Sequence, residues 1–189
     1  MATIEIQKVD LASFCYLNKE RYPFLLESVN HNENNRYSIL FAFPEENIVL
    51  RDFADFDFLS ELENQCKQIS DNINLPFNGG WFVYLSYELI GQIEPTLASK
   101  LHKSSIPIAY AVKIPCAIIT DHKLKKTYVV DEDNDRTRIN QILSDIKAIE
   151  NIPDAPLDGE ISEENNEKFT DGVKRSLDYI VAGDVFQVN

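Results

Sequence analysis

Residues 106–131 read IPIAYAVKIPCAIITDHKLKKTYVVD, and the punctuation of this stretch decides the fold class. Three runs rich in β-branched and aromatic residues, AYAVK, CAIIT and KTYVVD, are broken at Pro115 and at the polar turn Asp121 to Lys126. Such residues suit a pleated, half-buried surface, whereas proline lacks the N–H that a strand interior needs. The runs are three short strands, and antiparallel pairing follows. Immediately downstream, residues 135–150 carry Ile139, Ile142, Leu143, Ile146 and Ile149 on one helical stripe, so a helix covers the sheet.

Working upstream, Pro76, Asn78, Gly79 and Gly80 open a strand from Trp81 to Leu85. Trp81, Val83 and Leu85 share one face while Phe82, Tyr84 and Ser86 share the other, so both faces are largely apolar. A strand of that kind belongs in the middle of a sheet covered on both sides, which makes Trp81, Tyr84 and Tyr87 core aromatics. Residues 56–73 place Leu59, Leu62, Cys66, Ile69 and Ile73 at steps of three and four, the stripe of a core-facing helix. RYSILFAF (36–43) and ENIVLRDF (46–53) are strand-like runs joined by Pro44-Glu45, which predicts a hairpin. Phe24 to Leu26 form a short buried strand, Ile4 and Ile6 a brief alternating one. Asp10 caps a helix carrying Leu11, Phe14, Cys15 and Leu17. The fold class is α+β, with one or more largely antiparallel sheets covered by helices.

A net charge of −13 over 189 residues argues against nucleic-acid or anionic-membrane binding, both of which begin with clustered Lys and Arg. Lys123, Lys125 and Lys126 form the one basic cluster and read as a solvated turn. Cys15, Cys66 and Cys116 are odd in number, far apart and set in apolar surroundings, which fits buried free thiols in a reducing compartment. His31, His102 and His122 show no ligand-like spacing, so no metal site is expected. The N-terminus lacks a basic start followed by an apolar run, and no apolar stretch approaches membrane-spanning length. A cytoplasmic location is expected.

Residues 151–164, NIPDAPLDGEISEE, have the prolines, glycine and acidic residues of a linker. Beyond it Asn165 or Asn166 caps a helix through Val181, with Phe169, Val173, Leu177 and Ile180 on its buried side and Gly183 ending it. The last residues, Gly183 to Asn189, begin a strand with no partner. The chain therefore reads as the first part of a longer protein: a domain over 1–150, a linker over 151–164, and the start of a second domain over 165–189.

Three stretches, in order, carry a resemblance. PFLLESV (23–29) followed by RYSIL (36–40), PFNGGWFVYLSYEL (76–89) and YIVAGDVFQVN (179–189) resemble the "LLES" and "RYS" strands, the Pro-Phe-x-Gly-Gly strand and the opening of the chorismate-binding domain in the chorismate-utilising large subunits. This is the family of anthranilate synthase component I and aminodeoxychorismate synthase component I. Gln187-Val188-Asn189 and the segment 79–95 are more similar to the aminodeoxychorismate branch, because anthranilate synthases usually carry a second Val where Asn189 stands.

The resemblance implies an N-terminal part whose complete form converts chorismate and ammonia to 4-amino-4-deoxychorismate for folate synthesis. The ammonia would come from a glutamine amidotransferase subunit, component II. The alternative is the N-terminal part of anthranilate synthase component I, or a regulatory module that binds an amino acid. An unrelated interaction domain is favoured only if the gene ends at Asn189. In the family, chorismate, Mg2+ and the amine are handled past residue 165, so no residue here is given a catalytic or metal role, and the piece alone should be inactive. Asp184 reads as a turn or cap residue. The LLES strand implies a tryptophan-type pocket, with Leu26, Glu27, Ser28, Arg36 and Tyr37 as its candidates. Read without the resemblance, Glu27 and Ser28 are a solvated strand end and Arg36 a surface ion-pair partner.

Overall fold

The computed structural model describes residues 1–28, 35–66, 75–100, 105–149, 159–160, 162–163 and 165–188. The chain divides into two compact units, Met1–Ile152 and Pro153–Asn189. In the first, the elements run β1 (Ala2–Ile6), α1 (Leu11–Leu17), β2 (Phe24–Leu26), β3 (Tyr37–Ala42), β4 (Asn47–Leu50), α2 (Phe58–Gln65), β5 (Gly80–Leu85), α3 (Ile90–Ile93), β6 (Ala109–Ile114), β7 (Cys116–Asp121), β8 (Lys126–Asp131) and α4 (Arg136–Ile149). They build two antiparallel sheets, ordered β1-β8-β7-β3-β2 and β4-β6-β5.

Alternation fixes which residues meet. In the five-stranded sheet Leu40, Ala42, Cys116, Ile118 and Val129 face α1 and α4, burying Leu11, Phe14, Ile139, Ile142, Ile146 and Ile149. On the opposite face Phe41 packs with Val112 and Ile114 of β6, and Phe24 stacks flat on Phe82 at 4.0 Å between ring centroids. The far side of the smaller sheet buries Leu50, Ala109 and Ala111 against Phe58 of α2 and Leu89. Every residue of β7 is buried. It is the strand covered on both sides.

That role had been expected of β5, which instead forms an edge and leaves Val83, Tyr84 and Leu85 exposed. Tyr87 is 82% exposed and so is not a core aromatic. The hairpin expected over 36–53 does not form either, because β3 and β4 lie in different sheets. Tight hairpins need positive φ at the first turn position, and Pro44 cannot supply it. Phe43 takes φ 58° instead, and the chain leaves one sheet for the other. Pro115 makes the matching crossing between β6 and β7, so these two are not neighbours, while β7 and β8 pair as expected. Glu45 N–H to Lys113 O and Lys113 N–H to Glu46 O, both 2.9 Å, tie the crossings together.

Helix α2 ends sooner than its stripe suggests. Asp57 caps it through Ser60 N–H, but Cys66 is already extended, so its thiol is exposed; Ile69 and Ile73 lie outside the described residues. Asp10 caps α1 through Ala12 and Ser13 as expected. In α4, Leu143 leaves the buried stripe and Asp145 joins it, accepting from Tyr22 Oη and Arg21 Nη1, each at 2.6 Å.

The second unit holds α5 (Asn166–Ala182), capped by Asn165 and closed by Gly183 at φ 82°. None of its residues is buried, and Phe169, Val173, Leu177 and Ile180, expected to face a core, are exposed. Among the described residues no strand follows it. Asp184 N–H bonds to Tyr179 O at 3.0 Å, a helix-terminating turn. Among the described residues, no helix is long and apolar enough to cross a membrane.

Candidate functional site

At one end of the helix-covered face of the larger sheet, apolar alternation gives way to hydroxyls. Ser38, Thr120 and Thr127 fall on the same face as Leu40, Ile118 and Val129, and all three are buried. They are cross-strand neighbours, Ser38 opposite Thr120 and Thr120 opposite Thr127. Buried hydroxyls must be partnered. Thr120 Oγ1 and Thr127 Oγ1 are 3.2 Å apart. Ser38 Oγ accepts from the Ser28 backbone N–H at 3.0 Å and lies 2.8 Å from His122 Nε2, while Ser28 Oγ donates to Tyr37 O at 2.7 Å. These bonds clasp the end of β2 against β3.

The clasp borders a cavity of about 580 Å³, lined by Lys8, Val9, Asp10 and Leu11 from the β1–α1 junction, Glu27 and Ser28 after β2, and Ser38, Thr120 and His122 from the sheet. Asp10 is occupied in capping α1 and in a 2.6 Å bond from Ser13 Oγ. Glu27 and the lone pairs of Ser28 Oγ can accept from an ammonium group, Lys8 can meet a carboxylate, and Val9 supplies apolar wall. Mixed polarity of this kind suits a zwitterion with an apolar side chain.

Of the residues expected at a ligand pocket, the structure brings Glu27 and Ser28 to the cavity. Leu26 pairs with Ile39 and is 53% exposed, outside the lining. Arg36 is spent on Asp121, with Nε at 3.1 Å from each carboxylate oxygen and Nη2 at 2.6 Å from one, and its guanidinium lies 4.7 Å from the Tyr37 ring centroid. Asp121 is buried, and the Arg36 bond holds its carboxyl below the usual carboxylate range. Tyr37 packs on the opposite face with Ala117, Ile119 and Val130, and offers the clasp only its carbonyl. Lys8, Ser38, Thr120 and His122 were not anticipated. The signal for Ser38 and Thr120 was a hydroxyl at an inward position of each of three adjacent strands; Lys8 and His122 carried none.

A second cavity of about 690 Å³ is lined in part by Asn78, Trp81, Lys113 and Glu132, the last two paired at 2.6 Å. Among the described residues no group of three or more His, Cys, Asp or Glu is placed to hold a metal ion.

Residues 21–189 match the family model described as chorismate binding enzyme. The chain is 27% identical over 170 residues to an anthranilate synthase component I-like protein of Synechocystis sp., covering 86% of this chain and 35% of that protein. It is 23% identical over 195 residues to anthranilate synthase component 1 of Lactococcus lactis, covering 90% of this chain and 43% of that one. The chain thus spans less than half the length of these curated relatives. The crystal structure of anthranilate synthase component I from Streptococcus pneumoniae superposes with a TM-score of 0.52 at 22% identity, over 90% of this chain and 43% of that chain. At that identity the likeness speaks for the fold, an α+β architecture of antiparallel sheets and helices.

Proposed function

The chain belongs to the chorismate-binding enzyme family, and from that premise we propose that it is the N-terminal part of a component I that aminates chorismate, with residues 1–150 as its first domain, 151–164 as linker and 165–189 as the start of the chorismate-binding domain. The observation that carries this reading is the family match over 21–189, which runs through both units of the chain. The named relatives favour an anthranilate synthase, which would release anthranilate for tryptophan synthesis. A second reading, the aminodeoxychorismate branch of folate synthesis, is favoured by Gln187-Val188-Asn189. Chorismate, Mg2+ and the amine would be handled beyond Asn189, and component II would supply ammonia from glutamine.

In this reading the cavity at Glu27 and Ser28 holds an amino acid of the tryptophan type. Leu26, Arg36 and Tyr37 act from outside the lining by holding the strand ends, Arg36 through Asp121 and Tyr37 through its carbonyl. The test is to express the gene product continued past Asn189 and assay it with chorismate, Mg2+ and ammonium. Anthranilate assigns the first branch and 4-amino-4-deoxychorismate the second. Consumption of chorismate to neither product would sink both.

A further inference from the structure

The direction of the bond between Ser38 Oγ and His122 Nε2 depends on which ring nitrogen carries the proton. The Ser28 backbone N–H can only donate, so it takes one lone pair of Ser38 Oγ at 3.0 Å. A hydroxyl has one hydrogen to give, and among the described residues His122 Nε2, at 2.8 Å, is the acceptor in reach when it carries no proton. A neutral imidazole accepting at Nε2 carries its proton on Nδ1. We infer that His122 is a positioning residue of the pocket: neutral, it takes the Ser38 hydrogen and turns Ser38 Oγ toward Ser28 N–H; protonated, it donates to Ser38 and sets a cation beside the subsite for an amino acid's ammonium.

Protonation reverses the bond. Ser38 Oγ then receives two donors and its own hydrogen is driven into the cavity, where Glu27 and Ser28 would otherwise present acceptors to an ammonium. Imidazole ordinarily changes charge between pH 5 and 8, while carboxylates and lysines ordinarily do so outside that window. Among the described residues, the charged groups around His122 are Lys8 and Asp10 at the β1–α1 junction, Glu27 after β2, Arg36 ahead of β3, and Asp121, Lys123, Lys125 and Lys126 on its own turn. Asp121 is held by Arg36 at 2.6 Å, and Lys126 by Glu5 of β1 at 2.7 Å. Above the imidazole pKa the pocket is acceptor-rich. Below it, binding of an α-ammonium weakens, by roughly fivefold for one added charge a few ångströms away in a half-solvated site.

The second half of the inference rests on the amino-acid reading of the cavity; the first does not, and one experiment separates them. Side-chain 15N NMR of the chain should show neutral His122 protonated at Nδ1, with the Ser28 amide shifting at the imidazole's midpoint. In His122→Gln, whose amide oxygen keeps an acceptor that does not titrate, the Ser28 amide should hold its pH 8 position throughout. In Ser38→Ala it should cease to follow the imidazole. A neutral form protonated at Nε2, or a Ser28 amide indifferent to His122 in the wild type, overturns the positioning role. Calorimetry with L-tryptophan as the probe should show affinity falling roughly fivefold from pH 8 to 5.5 in the wild type and remaining level in His122→Gln. Equal wild-type affinities overturn the pH dependence. No tryptophan binding at any pH overturns the amino-acid reading instead, and the NMR result still decides the role of His122.

Discussion

Asp145 shows how one polar residue can be admitted to an apolar helix stripe. Its carboxylate is buried, yet Tyr22 Oη, Arg21 Nη1 and Gln141 Nε2 all donate to it, at 2.6, 2.6 and 2.9 Å. Burial and the Asp145 bond push the Tyr22 hydroxyl far above its ordinary value, so it remains a donor at any working pH. Tyr22→Phe should lower stability by about 1–3 kcal/mol, the cost of removing a buried partner from a charged acceptor. Urea unfolding with an unchanged midpoint would contradict it. The Arg36–Asp121 pair makes a pH prediction. Its folded-state pKa is depressed chiefly by the Arg36 bond, so its stabilisation is complete above the unfolded value near 4 and is lost as pH falls through the folded value. Asp121→Asn should therefore be less stable than wild type at pH 7, with the gap narrowing below about pH 4. Denaturation at pH 7, 4 and 3 reads this, and a gap constant with pH would refute it.

Among the elements, the turn into β5 is the most constrained by backbone. Gly79 has φ +103°, and a Cβ there would run into the Glu132 carboxylate and approach Glu132 Cβ to 2.7 Å. Gly79→Ala should cost roughly 1–3 kcal/mol through the unfavourable φ alone, with displacement of Glu132 from Lys113 adding to it. A thermal melt superimposable on wild type would show that the turn relaxes freely. Helix α4 is held by side chains instead. Ile142 is fully buried against the larger sheet, so Ile142→Ala should cost about 2–5 kcal/mol, measured by chemical denaturation.

For the whole molecule, apolar surface is distributed unevenly. The first unit closes two sheets and their helices around shared cores, whereas α5 presents Phe169, Val173 and Leu177 to solvent. Replacing Val173 and Leu177 together by Asp should leave the unfolding of this chain within about 0.5 kcal/mol of wild type, because neither side chain is buried in a core. In a longer gene product carrying the proposed remainder of the chorismate-binding domain, the same pair should destabilise by several-fold more. Equal effects in both would argue that the stripe stays exposed there too.

The existence and type of most elements could be read from local pattern alone: the β-branched and aromatic runs of β6, β7 and β8, the Asp10 cap of α1, the isoleucine stripe of α4, and the asparagine cap and Gly183 stop of α5. Glu27 and Ser28, singled out by the motif around them, line the cavity after β2. Local pattern does not determine pairing. Whether β3 meets β4 or β7, and whether β5 or β7 lies in the middle, depends on partners far apart in sequence, as Ala42 and Cys116 are, chosen by how much apolar surface each arrangement buries. The pocket belongs to the same class. Ser38, Thr120 and His122 are ordinary residues on separate strands and turns until the sheet aligns them, and only the tertiary structure joins them to Ser28, because a hydrogen bond is decided by distance in space rather than in sequence.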